Sequence, residues 1–375
     1  MRNIGKLSFR NSSPDKCFLD LNSDLPNSDS PSFDSPSFDS RRFDSSWILE
    51  NRGPKNEVDS DRPYAYLIEK ERSQTGVIEN VGTVFLTNKE CPFRCLMCDL
   101  WKNTTDHSVT PEQIDQQVQF ALNEFTKRIE RENSALHSLK LYNSGNFFDR
   151  QAIHADALER ILGRVHDARK THAINNLIVE NHPKLVGNRL IEFANRLESK
   201  FEVAMGLETI HPDILPRLNK QMDLDDFKRA THLLVDNDIH VRAFILLKTP
   251  FMNDEQGIEW ALKSAEWAFA QGVNCCAVIP TRTGNGAMEK LLEMNLFSEP
   301  RFEAMESFMD QGLNLIGSGQ RLFIDLWDAS RFADCQDCIV ERVERLNQIN
   351  LLQIPQPNHF SCDRCHQSRT RASND

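Results

Sequence analysis

The chain has 375 residues, 39% of them hydrophobic, and a formal net charge of −11 at pH 7. This size predicts one large domain with appendages, and no stretch approaches the ~20 consecutive apolar residues that span a bilayer. Residues 1–10 carry positive charge but no apolar segment, which argues against a secretory signal. The negative charge argues against a broad nucleic-acid-binding surface but does not exclude a local basic groove.

Most of the ten cysteines occur in C-x2-C or C-x3-C spacings or as an adjacent pair. Such spacings are typical of metal sites in a reducing compartment and not of a disulfide framework. We therefore expect a cytoplasmic protein that binds metal and has no membrane partner. Cys275 and Cys276 are the adjacent pair, and we expect them to pack in the core.

The N-terminal region contains a short repeat. Residues 31–35 recur at once as residues 36–40, and residues 41–45 are a degenerate third copy. Ser, Asp and Pro dominate, so little apolar surface is available to offset chain entropy. Residues 1–45 are therefore predicted to be a disordered tail, and residues 46–78 a polar lead-in segment.

From residue 79 the sequence alternates between strand and helix patterns. Residues 81–87 form the first predicted strand, and a helix should begin after Thr110, since Pro111 and Gln113 complete an N-capping pattern. Five more strands are predicted at 138–142, 176–179, 202–205, 241–247 and 273–279, with helices at 154–169, 190–197, 225–235 and 255–270. This alternation predicts an α/β fold, a partial (β/α)6 TIM-like barrel over residues 79–290. Its site should lie at the C-terminal ends of the strands.

Residues 91–98, here called the cysteine loop, directly follow the first predicted strand. Cys91, Cys95 and Cys98 stand in a C-x3-C-x2-C spacing. Three thiolates on one loop can hold three corners of a [4Fe–4S] cluster and leave one iron open for a cofactor. Part of a zinc site and plain buried thiols are the alternatives, but the position after a strand favours the cluster.

Small and polar residues also follow the next five predicted strands. They occupy positions 143–146, 180–182, 206–209, 248–250 and 280–284. In a parallel barrel these positions share the face that carries the active site. The sequence therefore predicts one site built from the cysteine loop and these strand ends, although helix N-caps require similar residues.

Residues 81–292 resemble the core of radical S-adenosylmethionine (SAM) enzymes, in the class of the Elongator catalytic subunit and the methylthiotransferases. The resemblance implies that Cys91, Cys95 and Cys98 ligate the cluster and that SAM binds the open iron. One electron from a reductant then splits SAM, and the resulting 5′-deoxyadenosyl radical abstracts hydrogen from a substrate that the sequence does not name. It also implies a set of SAM-binding residues at the strand ends, namely Ser144, Gly145, Asn146, Glu180, Glu208 and Lys220.

The chain further resembles the radical SAM subunit of archaeosine synthesis on tRNA and its uncharacterised relatives. The shared stretches are residues 85–87, 95–101, 144–149, 206–209 and 246–251. That family works with a partner enzyme as a lyase on a modified base. The resemblance thus implies a partner enzyme and a modified nucleoside of tRNA as substrate, while the net charge gives tRNA binding no support.

Residues 291–375 are predicted to form a C-terminal extension with a helix at 299–315 and a strand at 322–326. Cys335, Cys338, Cys362 and Cys365 form two C-x2-C pairs, which supply four thiolates for zinc or a second Fe–S cluster. The preceding charged residues, 325–334, either line a substrate pocket or face solvent. The alternative interpretation of the whole chain is a zinc-organised interaction or nucleic-acid-binding protein without catalysis.

Overall fold

The structure is a computed structural model that describes residues 43–172 and 174–358 together with Cys362. Most of the predicted disordered tail, residues 1–42, therefore lies outside the described residues. Eight strands form one sheet in sequential order. They are β1 (Ala65–Arg72), β2 (Ile78–Phe85), β3 (Ser138–Tyr142), β4 (Asn176–Glu180), β5 (Lys200–Glu208), β6 (His240–Leu247), β7 (Cys275–Pro280) and β8 (Arg321–Ile324).

The predicted α/β class and the partial barrel are confirmed, with two strands more than the six predicted for the barrel. Strands β2 to β7 correspond to the six, and every pair from β2 to β8 is parallel. β1 comes from the lead-in segment and pairs antiparallel with β2. β8 comes from the C-terminal extension, so both regions contribute to the sheet. Within the described part of the chain, β1 and β8 do not pair with one another, and the barrel stays open.

The helices that the structure describes alternate with the strands from β2 onward. They are α1 (Ser45–Glu50), α2 (Pro111–Glu132), α3 (Ala155–His172), α4 (Asn188–Arg196), α5 (Leu224–Val235), α6 (Asp254–Ala270), α7 (Ala287–Glu293), α8 (Phe302–Gly312) and α9 (Ile339–Leu352). α2 begins where predicted, because the Thr110 hydroxyl accepts from Gln113 N at 3.2 Å and Thr110 N donates to the Gln113 side chain at 3.1 Å. In the described residues we find no helix with the length and apolar content to cross a membrane.

The two faces of the sheet differ in chemistry. Leu139 and Leu141 of β3 are fully buried in the core between the sheet and the surrounding helices. Lys140, between them, points to the opposite, concave face. Helix α2 can approach the sheet closely because Gly82 of β2 leaves room for the ring of Phe125. A Cβ on residue 82 would lie only 2.7 Å from that ring. The main core is thus outside the barrel wall, and polar residues line its inside.

A buried charge network fills the N-terminal half of the barrel interior. Arg242 of β6 donates to Glu202 and to Glu71, both at 2.6 Å, and Arg321 of β8 donates to Glu202 at 2.7 Å. Lys140 pairs with Glu71 at 2.6 Å. Burial alone would raise the carboxyl pKa values, but the surrounding cations lower that of Glu202 to about 2 and hold that of Glu71 well below its ordinary value. The network joins β1 to four strands of the barrel.

Helix α9 covers the open edge formed by β8. The side-chain amide of Asn350 accepts from Ile324 N at 3.0 Å and donates to Ile324 O at 2.8 Å. Gln353 forms the same pair of bonds with Leu322, at 2.8 and 2.7 Å. Two amide side chains thus replace a neighbouring strand and satisfy an edge that would otherwise be open to pairing.

Candidate functional site

The cysteine loop lies just beyond the C-terminal end of β2 and is held from two sides. Leu96 N donates to Leu218 O at 2.9 Å. The Asn285 side chain donates to Leu96 O at 2.8 Å and to Cys98 O at 3.1 Å. Segments that follow β5 and β7 therefore fix the backbone around the second and third cysteines.

The three loop thiols are largely removed from water. Burial raises the pKa of Cys91 and Cys98 to about 12 and that of Cys95 to about 11. Thiols in this state are poor nucleophiles, and a bound metal would have to displace their protons. This environment therefore does not favour a catalytic free thiolate.

The turn after β3 reaches the first cysteine. Gly145 packs against Cys91 so closely that a Cβ on residue 145 would lie 2.7 Å from Cys91 Cβ. The Asn146 side chain donates a hydrogen bond to Cys91 Sγ at 3.1 Å. Glu180, at the end of β4, accepts from Asn143 N at 2.6 Å and from Gly145 N at 3.0 Å. The turn is thereby fixed against the cysteine loop.

Ser144 completes this turn and connects it to the barrel lining. It adopts a left-handed backbone conformation with φ of 55°, a strained region for a residue other than glycine. Its hydroxyl lies 3.1 Å from the hydroxyl of Tyr64. Burial holds the pKa of Tyr64 well above its ordinary value, so this phenol stays protonated while its oxygen accepts the hydrogen bond from Ser144.

Glu180 has an unusually high proton affinity for a carboxyl group. Burial raises the pKa of its carboxyl to about 7, against the opposing effect of the backbone N–H groups that it accepts from. Its charge therefore changes near neutral pH, in contact with the turn that touches Cys91.

Glu208 and Lys220 form a buried ion pair at 2.7 Å. Gly206 makes room for it, since a Cβ there would lie 2.2 Å from Glu208 Oε1 and 2.4 Å from Lys220 Nζ. Burial alone would lower the pKa of Lys220, but the carboxylate of Glu208 and the nearby thiols of Cys95 and Cys91 raise it. A permanent cation thus lies beside the cysteine loop.

The structure brings the predicted residues together around this loop, and their assignment as SAM contacts stays a prediction. Sequence reasoning missed Asn285 and the pair of His182 and Phe93, whose rings stack at 3.7 Å and 11°. His182 also hydrogen-bonds to Lys220 O at 3.0 Å, and burial lowers its pKa to about 3, so it is neutral. The signal for His182 was its position after a predicted strand, but its partner lies in a different loop.

The C-terminal cysteines form a second group. The sulfurs of Cys335, Cys338 and Cys362 all lie within 4.8 Å of one another, and those of Cys335 and Cys362 are 3.6 Å apart. The fourth predicted ligand, Cys365, lies outside the described residues. Among the residues that the structure describes, no other three Cys, His, Asp or Glu residues bring their ligand atoms within 4.8 Å of one another. The three cysteines of the cysteine loop therefore do not meet this limit.

The charged segment that precedes this group contacts the barrel mouth. Arg331 pairs with Glu299 at 2.7 Å, and Glu299 in turn accepts from Thr283 N at 2.8 Å, just after β7. Asp325 follows β8, and burial raises the pKa of its carboxyl. Trp327 is 62% exposed. The segment therefore combines a surface ion pair with groups that face the mouth.

Comparison with known sequences gives three related proteins, and no family model matches the chain. An uncharacterised protein of Methanocaldococcus jannaschii is 22% identical over 64% of this chain and 67% of its own length. The archaeosine synthase subunits beta of Methanosarcina acetivorans and Thermococcus kodakarensis are 27% and 26% identical over 37% and 45% of this chain. The matches span 42% and 51% of those two subunits. The resemblance to the archaeosine-synthesis subunit is thus confirmed for part of the chain.

Among solved structures, Elp3 of the archaeon Methanocaldococcus infernus is similar over 55% of this chain and 51% of its own, with 16% identity and a TM-score of 0.46. Queuine lyase from Clostridium spiroforme, bound to SAM and queuine, gives 18% identity, coverage of 62% and 87%, and a TM-score of 0.42. The radical SAM enzyme coproporphyrinogen III oxidase of Escherichia coli gives 10% identity, coverage of 72% and 55%, and a TM-score of 0.41. At such scores these likenesses carry no argument about activity.

Proposed function

We propose that this protein is a radical SAM enzyme, with a [4Fe–4S] cluster on Cys91, Cys95 and Cys98 and SAM at the neighbouring strand ends. The observation that carries the proposal is the position of the cysteine loop. It follows the first parallel strand at the face where barrel enzymes keep their chemistry, and the Asn146 amide donates to Cys91 Sγ at 3.1 Å. Bound together and supplied with one electron, cluster and SAM provide a 5′-deoxyadenosyl radical for hydrogen abstraction from substrate.

The residues present fit a cluster better than a single ion. A tetrahedral ion with Zn–S bonds of ~2.3 Å needs sulfurs only ~3.8 Å apart, whereas a cubane binds each cysteine through a different iron. The sulfurs of a single-ion site would all lie within 4.8 Å of one another, but the three loop sulfurs do not. Three ligands on three irons agree with this wider arrangement.

The surrounding residues then act as positioning and charge-balancing groups. Asn146 would direct an N–H toward a ligand sulfur, the kind of contact that tunes a cluster. Gly145 allows the turn after β3 to approach the loop. Lys220 supplies a buried cation that can pair with the SAM carboxylate, and Glu208, now its partner, can accept from the SAM amino group or ribose. Glu180 holds the turn in place.

The substrate and the partner are proposed from the relatives. Two of them are named as beta subunits of archaeosine synthase, so we propose that this chain works with a second subunit and acts on a modified nucleoside, with tRNA as its carrier. The net charge of −11 supplies no broad surface for tRNA, so the partner subunit would provide most of the RNA contacts.

The test is SAM cleavage by anaerobically prepared full-length protein after chemical reduction. We expect iron and sulfide in the protein and production of 5′-deoxyadenosine. The triple variant Cys91→Ala/Cys95→Ala/Cys98→Ala should lose the product, while the control Cys17→Ala, outside the motif, should keep it. SAM cleavage by the triple variant would refute the proposal. Zinc without iron in the unaltered protein would instead favour an interaction module.

A single methyl group gives a sharper version of this test. In Gly145→Ala, the new Cβ would meet Cys91 Cβ at 2.7 Å, so the first ligand must shift and the iron content should fall. The matched control is Gly163→Ala on α3, where nothing lies within 4 Å of the added Cβ. Full iron loading of Gly145→Ala would argue against Cys91 as a ligand.

We also propose that Cys335, Cys338, Cys362 and Cys365 bind a second metal. The two C-x2-C pairs suit zinc and a second Fe–S cluster equally well by spacing. Its content is measured separately from the SAM reaction, because the four residues lie outside the cysteine loop.

A further inference from the structure

The strongest feature outside the proposed active site is the trio of C-terminal sulfurs. A tetrahedral zinc ion with Zn–S bonds of ~2.3 Å places its sulfurs ~3.8 Å apart. Cys335 and Cys362 are 3.6 Å apart, and all three sulfurs lie within 4.8 Å. A disulfide would need ~2.05 Å, and a cubane would spread its ligands over separate irons. The observed spacing is that of one ion.

The three cysteines flank helix α9 in the chain, so a metal bound to them would fix both ends of this helix segment. Cys335 and Cys338 directly precede α9, and Cys362 follows it. Between these ligands lie Asn350 of α9 and Gln353, which directly follows the helix. Their side-chain amides satisfy both backbone groups of Ile324 and Leu322 on the edge strand. A metal that joins the two ends of this segment would close a loop around α9.

α9 also reaches the other open edge of the barrel. The Arg72 guanidinium, at the end of β1, donates to Leu351 O at 3.3 Å. Arg342 of α9 pairs with Glu306 and Glu303 of α8, at 2.5 and 2.9 Å. The helix therefore spans from β8 to β1 across the gap that the sheet leaves open, and its anchoring determines how well both edges are covered.

We propose that Cys335, Cys338 and Cys362 bind a single structural zinc ion that fastens α9 across the open side of the barrel. Cysteine thiolates are typical ligands of structural zinc sites. The metal contributes folding free energy to the segment that it closes. Its loss should release the β8 edge and leave the central strands intact.

The first experiment measures metal in the Cys91→Ala/Cys95→Ala/Cys98→Ala variant, which keeps the C-terminal cysteines and lacks those of the cysteine loop. We expect one zinc per chain without iron or sulfide, and the further change Cys17→Ser should keep that zinc. Adding Cys335→Ser and Cys338→Ser should remove it. Iron with sulfide in the starting variant, or the absence of any metal, would overturn the assignment. Since SAM chemistry is already disabled, the result is independent of the proposed function.

The second experiment measures hydrogen exchange in the same three-alanine variant before and after zinc removal with a chelator. The amides of Leu322 and Ile324 should exchange about tenfold faster without zinc, because their side-chain acceptors move away. The amide of Ile245, in β6, serves as internal reference and should not change. Returning zinc should restore protection, which separates release of α9 from misfolding. Unchanged exchange at Leu322 and Ile324 after complete zinc removal would contradict the proposal that zinc fastens α9.

Discussion

Glu180 illustrates how a single carboxyl can be held where its charge is costly. Its Oε1 accepts two backbone N–H groups of the turn after β3, which favours the ionised form. Burial outweighs this effect and raises the pKa to about 7. The turn that contacts Cys91 is therefore attached to a group whose protonation changes near neutral pH.

The variant Glu180→Gln should remove a pH-dependent part of the stability. The pKa is raised from 4.5 to about 7 in the folded protein, so the protonated form contributes stability that is complete below 4.5 and lost as pH rises through 7. The loss is ~1.4 kcal/mol for each unit of pKa shift. Gln keeps an acceptor oxygen and no charge, so the metal-free variant should match the parent near pH 4 and exceed its thermal midpoint near pH 8.

The control for this prediction is Glu192→Gln on α4, at a position without a described contact to the turn. It should shift the thermal midpoint equally at both pH values. If the parent were instead more stable than Glu180→Gln near pH 8, the ionised carboxylate would be the preferred form in the folded protein, and burial would not dominate its pKa.

At the level of single residues, the sequence predicted that the cysteine loop and the turn after β3 lie together, and the structure places Gly145 and Asn146 against Cys91. The sequence could not predict Asn285 or the stack of Phe93 on His182. Asn285 is 189 positions from the carbonyl of Leu96 that it contacts, and only the folded barrel brings the two together. A contact between loops at different strand ends leaves no local pattern.

Among the structural elements, β1 shows what an apolar pattern misses. Glu71 of β1 faces the interior and pairs with Arg242 and Lys140, so its strand carries charges where an apolar side chain would be expected. For this reason the sequence analysis predicted a polar lead-in segment and no strand here. The sequence analysis predicted no helix at α9, and the polar side chains of Asn350 on this helix and of Gln353 just after it bond to the edge strand β8. The six predicted strands with strong apolar patterns were found near their observed bounds.

Replacing Arg242 by Met should be among the most damaging single changes in the barrel. It would leave Glu202, 1% exposed, and Glu71, 12% exposed at the side chain, with fewer cations in a buried site. Breaking one partner of a buried ion pair typically costs roughly 3–5 kcal/mol, and urea unfolding at neutral pH would measure the loss. Since Arg321 and Lys140 still pair with these carboxylates, we expect a loss near the lower end of this range.

The control for this change is Arg196→Met, which breaks the exposed pair between α4 and Glu159. Exposed pairs contribute little because solvent screens them, so its unfolding midpoint should stay near that of the parent. Equal effects of the two variants would mean that the interior network is no more important to stability than a surface pair, and that β1 is held by its strand pairing alone.

On the scale of the whole molecule, the segment before the barrel closes over the cysteine loop. Phe43 and Ile48 are 3% and 1% exposed, and Asn219 donates both to Ser45 Oγ at 3.0 Å and to Arg94 O at 2.6 Å. Arg52 pairs with Glu90 at 2.7 Å, immediately before Cys91. The third copy of the N-terminal repeat, residues 41–45, thus contains a phenylalanine that packs, although its composition predicts a solvated tail.

This arrangement predicts that removing residues 1–52 exposes the cysteine loop, whereas removing residues 1–39 leaves α1 and Arg52 in place. The shorter truncation should load iron like the full chain under anaerobic conditions. The longer one should load less and lose its visible absorbance faster in air, because the loop gains solvent access and loses the contacts of Asn219 and Glu90. Absorbance decay of both truncations, with circular dichroism to verify folding, would measure this. Equal decay rates in folded proteins would show that α1 covers the loop without protecting it, and that oxygen reaches the cluster from the barrel mouth.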